Sequence, residues 1–237
     1  MSATSEISYG MTTNEHATPE RRVVSVDLYW LPLGAGGQSV RFNGRVFESI
    51  GARLDRRDRC DLYHSALEVR APEGRFVIEM TPIRPGDAAE RGVVAEGAVG
   101  MRAAGRFGLF RYEIRRWRDG VIPDVGEAVE SPRRLSEDLD SARRLLELVP
   151  QVPTPVWGRD ELHLGEMWNS NSLISWLVVR TGLDFDAIHL PAGGRAPGWN
   201  AGSVMAQRRQ PAAAGKRTHR RSRRDDAQVT AHRARDT

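Results

Sequence analysis

Cysteine is nearly missing from this chain, with Cys60 standing alone. No internal disulfide can form, and a cysteine-ligated zinc site is excluded. Lysine is as scarce: the 35 basic residues are 34 arginines and Lys216. Such a bias fits a GC-rich coding sequence, so the arginines carry no functional meaning without a site around them. No apolar run is long enough to span a bilayer. Residues 1–20 hold no apolar signal-peptide segment. The expectation is a cytoplasmic protein with no transmembrane segment and no cofactor or metal.

Charge is unevenly spread. The net charge is +4 overall, but Gln207 onward holds nine Arg and one Lys against three Asp, or +7, leaving −3 for residues 1–206. The basic pI therefore belongs to the tail. Residues 206–237 read as a basic, solvated and disordered end without interleaved aromatics. Contact with nucleic acid or an acidic membrane through charge alone is the alternative. Residues 1–20, polar and without periodicity, read as a disordered N-terminal tail.

Between the tails, residues 21–205 read as one α+β domain: an antiparallel sheet packed against a C-terminal helix pair. Val23 to Leu31 is strand-like. A Gly34–Gly37 loop follows, too poor in phosphate-loop features to be a nucleotide site. Gln38–Phe42 and Arg45–Ile50, joined by Asn43-Gly44, read as a hairpin. After a charged connector over Arg53–Asp61, Leu62–Arg70 and Arg75–Thr81 form a second hairpin with Arg70 opposite Arg75. That register places Leu67, Val69, Ile78 and Phe76 on one face, and His64, Glu68 and Glu79 on the other. Pro82–Gly105 reads as a Gly-rich loop, Phe107–Trp117 as a strand beside the hairpin, and Pro123–Pro132 as a linker.

The first helix starts at Ser136-Glu137-Asp138 and carries an apolar stripe, Leu139, Ala142, Leu145, Leu146 and Val149. The second opens on a polar knot, Asn169-Ser170-Asn171-Ser172, and runs through Leu173, Ile174, Trp176 and Leu177 to about Thr181, stopping at Gly182. Asp184–Ile188 reads as one helical turn and Pro191–Asn200 as a Gly/Pro coil.

The order of parts resembles circularly permuted members of the papain-like superfamily: permuted NlpC-type hydrolases, the lecithin retinol acyltransferase type and the PPPDE deubiquitinase-like type. Leu62-Tyr63-His64-Ser65 resembles their histidine strand, and Glu79 their polar third member. Asn169-Ser170-Asn171 resembles their Asn-Cys-Asn at the nucleophile helix. The chain is also similar to a bacterial family whose helix opens with Asn-Ser-Asn. The resemblance covers roughly Val23 to Gly182.

It implies amide or ester hydrolysis, or acyl transfer, on a small-molecule, lipid or peptide substrate. Ser170 would be the nucleophile, His64 the base and Glu79 its orienter. Asn169 and Asn171 would stabilise the oxyanion, with Trp168 and Ser172 lining the site. Ser170 stands where the family has Cys, so it needs a base in direct contact and a ready oxyanion hole.

Other readings stand beside this one. Ser170 is equally suited to capping the helix, which leaves a catalytically inactive binding or scaffold protein. Glu68, about 6.6 Å along the strand, rivals Glu79 as partner of His64. Cys60 lies about 13 Å from His64 and is a weaker nucleophile candidate. His163 and His189, with Glu166 or Asp186, have no recognised metal-ligand spacing. Trp157, Trp168 and Trp199 are cleft candidates, although aromatics near a helix start commonly belong to the core.

Overall fold

The computed structural model describes residues 23–33, 60–83 and 88–208. The Gly34–Gly37 loop, the Gln38–Ile50 hairpin and both tails, apart from residues 206–208, lie outside the described residues. Those up to Gln207 belong to one compact unit.

Its centre is a strand pair. β1 (Ser25–Pro32) runs antiparallel to β2 (Asp61–Ala71), with Leu28 opposite Leu67 and Tyr29 opposite Ala66. β2 turns back into β3 (Gly74–Pro82), and Arg70 faces Arg75, Val69 faces Phe76 and Leu67 faces Ile78, as the register predicts. β5 (Arg111–Arg118) lies beside β3, also as expected. Among the described residues the order is β4 (Val93–Ala98), β5, β3, β2, β1 and β6 (Val129–Ser136). A two-residue β7 (Gly194–Arg195) pairs in parallel with the start of β2.

Two strands occupy segments expected to be irregular. β4 (Val93–Ala98) pairs with β5 inside the supposed Gly-rich loop. Its Gly97 is there for space: a Cβ would come within 2.3 Å of the Tyr112 ring. The glycine that makes the segment look like loop thus lets a buried tyrosine cross the strand. β6 (Val129–Ser136) replaces the supposed linker and pairs with β1 at the sheet edge. An edge is where a strand tolerates a proline such as Pro132, because no inner hydrogen bond is lost.

Three helices follow the sheet in place of the expected pair. α1 (Leu139–Leu148) starts at Asp138, whose carboxylate accepts from the Ser141 N–H at 2.7 Å. α2 (Ser170–Thr181) ends at Gly182, whose φ of 87° closes the helix in the left-handed region. α3 (Trp199–Gln207) was hidden in the Gly/Pro coil and the start of the tail. It crosses α2 so closely that a Cβ on Gly202 would lie 2.0 Å from the Ser172 carbonyl oxygen. The segment Asp184–Ile188 holds a turn closed by Ile188 N–H to the Phe185 carbonyl rather than a helix.

The sheet buries both faces. Side chains alternate along each strand. Val26, Leu28, Trp30, Leu67, Val69, Ile78 and Ile114 pack with Leu145, Leu173, Ile174 and Leu177 from the helices. On the far face Leu31, Ala66 and Val77 pack with Ile122. The class is α+β, an antiparallel sheet with three helices.

Candidate functional site

The polar knot at the start of α2 is where three distant segments meet. Asn169 is the cap. Its side-chain oxygen accepts from the Asn171 N–H at 2.9 Å and the Ser172 N–H at 3.3 Å. The Ser172 hydroxyl answers by accepting the Asn169 N–H at 3.1 Å, which closes a capping box. That hydroxyl donates to the Gly198 carbonyl at 2.7 Å. The capping role expected of Ser170 thus falls to Asn169.

Asn171 joins the helix to the sheet. Its Nδ2 donates to the carbonyls of Tyr63 and Pro197, each at 2.9 Å, and its Oδ1 accepts from Ser65 Oγ at 2.9 Å. Asn169 Nδ2 also donates to Pro197 O, at 2.8 Å. The loop before α3 is therefore fastened to both asparagines. Gly198 sits at φ 85°, and a Cβ there would meet Asn169 Oδ1 at 2.6 Å and Ser172 Oγ at 2.8 Å. Sequence reasoning did not find Ser65, Pro197 or Gly198 as members of this cluster. Ser65 had a signal, being a lone serine on the apolar face of a strand.

These bonds decide several assignments. Asn171 uses both hydrogens of its amide in structural bonds, so it does not offer them to an oxyanion. The Ser172 hydroxyl is committed as donor and acceptor. Trp168 is core, 1 % exposed. Trp199 is likewise in the core, 5.0 Å from Trp30 between ring centroids, and Trp157 packs edge-on to Tyr112. Ser170, the first residue of α2, is 7 % exposed, and its hydroxyl makes no hydrogen bond among the described residues.

His64 does not reach Ser170. Ser65 points at α2, and Tyr63 and Leu67 join the helix-side core. By alternation His64, Ala66 and Glu68 point to the opposite face. Ala66 confirms this by packing with Leu31, Val77 and Ile122. The carboxylate that acts on His64 is Asp124, two residues beyond Ile122. Desolvation pushes the imidazole pKa down to about 4, against the weaker upward pull of Asp124. The ring is neutral at physiological pH.

Glu79 shares that far face and engages an arginine. Arg115 donates to Glu79 Oε1 at 2.8 Å and to Glu113 Oε1 at 2.6 Å, and Arg91 holds Glu113 at 3.0 Å. Glu68, the rival carboxylate, binds Arg70 and Arg75. The sheet thus lies between Ser170 and the pair His64 and Glu79, and the expected triad is not assembled.

Three of the remaining candidates have defined surroundings, and His163 adopts a left-handed backbone, φ 55°. Cys60 is partly buried at the start of β2. Glu166 accepts from the Asn200 backbone and side chain. The His189 carbonyl accepts from Arg133. Among the described residues no group of three or more His, Cys, Asp or Glu could hold a metal. Among the described residues no helix is long and apolar enough to cross a membrane.

No protein-family model, curated protein or solved structure matches the chain.

Proposed function

We propose that this chain is a catalytically silent binding or scaffold protein on a permuted papain-like fold, and that the knot at α2 is an anchor rather than a serine hydrolase centre. One observation carries the reading. Consecutive residues of β2 point opposite ways, Ser65 to α2 and His64 away from it. A serine hydroxyl needs a base within about 3.2 Å to become a nucleophile. His64 would have to cross the sheet to serve.

The chemistry of the knot supports the same reading. Asn169, Asn171 and Ser172 satisfy helix-end N–H groups and loop carbonyls. Those polar groups would otherwise be buried without partners, at a cost of about 1–3 kcal/mol each. A reason to keep the Asn-Ser-Asn-Ser sequence therefore exists without any reaction. The expected cytoplasmic setting remains part of the proposal.

A serine-directed fluorophosphonate probe tests it. The purified chain should show no labelling that depends on Ser170. Labelling that disappears in Ser170→Ala, with turnover on an ester panel that disappears with it, would overturn the proposal.

A further inference from the structure

The edge of the sheet beyond β4 carries an unusual surface. Val99–Arg111 contains Arg102, Arg106 and Arg111 and no acidic residue. Three of its large apolar side chains stand in solvent: Met101 is 56 % exposed, Phe107 58 % and Phe110 45 %. Phe110 N–H bonds the Phe107 carbonyl at 2.9 Å, closing one 3-10 turn. Such a turn returns residues three apart to the same side. The Arg106 guanidinium lies 5.5 Å over the Phe107 ring.

The segment is held in shape. Val99 N–H bonds Phe110 O at 2.8 Å, and Gly100 N–H bonds Trp157 O at 3.0 Å. The exposed rings are therefore presented by a tied loop, which lowers the ordering cost of binding. Beside them opens a cavity of about 250 Å³, lined by Gly97, Ala98, Arg102, Gly105, Arg111 and Thr154 among others. The two arginines at this cavity hold half-buried carboxylates, Arg102 with Glu161 through both carboxylate oxygens and Arg111 with Glu96. A phosphate presents the same pair of acceptor oxygens to a guanidinium, so it can compete with the carboxylate at each arginine.

We infer that this edge docks on an anionic phospholipid surface. Met101, Phe107 and Phe110 enter the headgroup–acyl boundary, and Arg102, Arg106 and Arg111 meet lipid phosphates. Aromatic and long apolar side chains with a cationic rim favour that boundary. Each arginine adds attraction to an acidic leaflet. Arg106 lies over the exposed Phe107 ring, and Arg102 and Arg111 reach Glu161 and Glu96 close by, so three guanidiniums stand beside the exposed apolar side chains as a headgroup rim requires. The inference uses residues remote from the α2 knot and does not depend on its role.

Vesicle co-sedimentation of the full chain tests it, with phosphatidylcholine vesicles and with phosphatidylcholine–phosphatidylglycerol vesicles. Binding should require phosphatidylglycerol. The double substitution Phe107→Ser and Phe110→Ser should weaken it about tenfold or more. Arg106→Glu should weaken it separately, and both variants should keep the wild-type circular dichroism spectrum. Failure to bind either vesicle overturns the inference. So does binding that both variants retain in full, which would assign it to the basic tail. Occupancy by inorganic phosphate without vesicle binding also overturns it, as does self-association lost in the phenylalanine variant while vesicles go unbound.

Discussion

Ser65 Oγ donates to Asn171 Oδ1 at 2.9 Å, joining a strand to a helix 106 residues later. The same asparagine donates to the Tyr63 and Pro197 carbonyls. One amide side chain thus satisfies groups on β2 and on the loop before α3. Because Ser65 turns inward to make this bond, His64 turns outward. The anchor and the failure of the triad are one geometric fact.

Removing the anchor should be costly. Asn171→Ala takes the side-chain partner from the Tyr63 carbonyl and the Ser65 hydroxyl in a buried place, while Pro197 O keeps its bond from Asn169 Nδ2. At about 1 kcal/mol for each ordinary bond, and more for a stranded group, the loss should be about 2–4 kcal/mol. Ser65→Ala strands only Asn171 Oδ1 and should lose about 1–2 kcal/mol. Urea denaturation, with the slope of the transition unchanged, measures both. An Asn171→Ala variant as stable as the wild type would show that the knot does not hold the fold.

The two serines of the knot should part company. The Ser172 hydroxyl both accepts from the cap residue and donates to Gly198 O. Ser172→Ala should cost about 1–2 kcal/mol. Ser170 has no such bonds among the described residues, and Ser170→Ala should change stability by no more than about 0.5 kcal/mol. Thermal melts of the two variants side by side give the comparison. Equal losses would mean that Ser170 has a structural role like its neighbour's.

The hairpin register, the Gly182 end of α2 and, within two residues, the starts of both helices (read at Ser136 and Ser170, capped at Asp138 and Asn169) were legible because each rests on local chemistry. Alternation sorts Leu67, Val69 and His64 onto faces, an acidic or amide residue caps a helix, and Gly182 stops one. β4, β6 and α3 were not legible. Gly97 and Pro132 stood in segments read as loop and linker, and Gly202 lay just past a Gly/Pro coil, but each answers a tertiary need: room for Tyr112, an edge position, and the close crossing with Ser172. The site failed for a related reason. The order His64, Glu79, Ser170 along the chain says nothing about which face of the sheet the later helix covers. That face was decided by the apolar set Val26, Leu67, Ile78 and Leu173, which drew α2 to the side opposite His64.

Gly202 gives a direct test of the helix crossing. A Cβ at this position would lie 2.0 Å from Ser172 O and 2.1 Å from Ser175 Oγ. Both belong to the buried body of α2, so α3 must move away to accept even alanine. Gly-to-Ala within a helix ordinarily gains about 0.5–1 kcal/mol. Here Gly202→Ala should reverse that sign and lose about 1–3 kcal/mol through overpacking. Solvent-facing Gly126, where a Cβ meets nothing within 4 Å, is the control and should be near neutral as alanine. A Gly202→Ala protein that melts higher than the wild type would remove the close crossing from consideration.

The far face should appear in the pH dependence. The His64 pKa is lowered from 6.5 to about 4, so the folded state disfavours the imidazolium. Between those values the unfolded chain binds the proton and the folded chain does not. Stability from the neutral ring is therefore fully present above pH 6.5 and is lost as pH falls toward 4. The upper bound is about 3 kcal/mol, less whatever solvent screens at this partly exposed ring. Glu113 acts in a lower window. Burial alone would raise its pKa, but Arg91 and Arg115 together hold it below the ordinary value of 4.5. Its contribution is present above 4.5 and declines as the pH drops further. Urea midpoints measured from pH 7 downward should show two successive losses in the wild type. His64→Gln should flatten the first and leave the second in place. If the first loss survives that substitution, His64 is not its source and the desolvated neutral ring is the wrong account of this face.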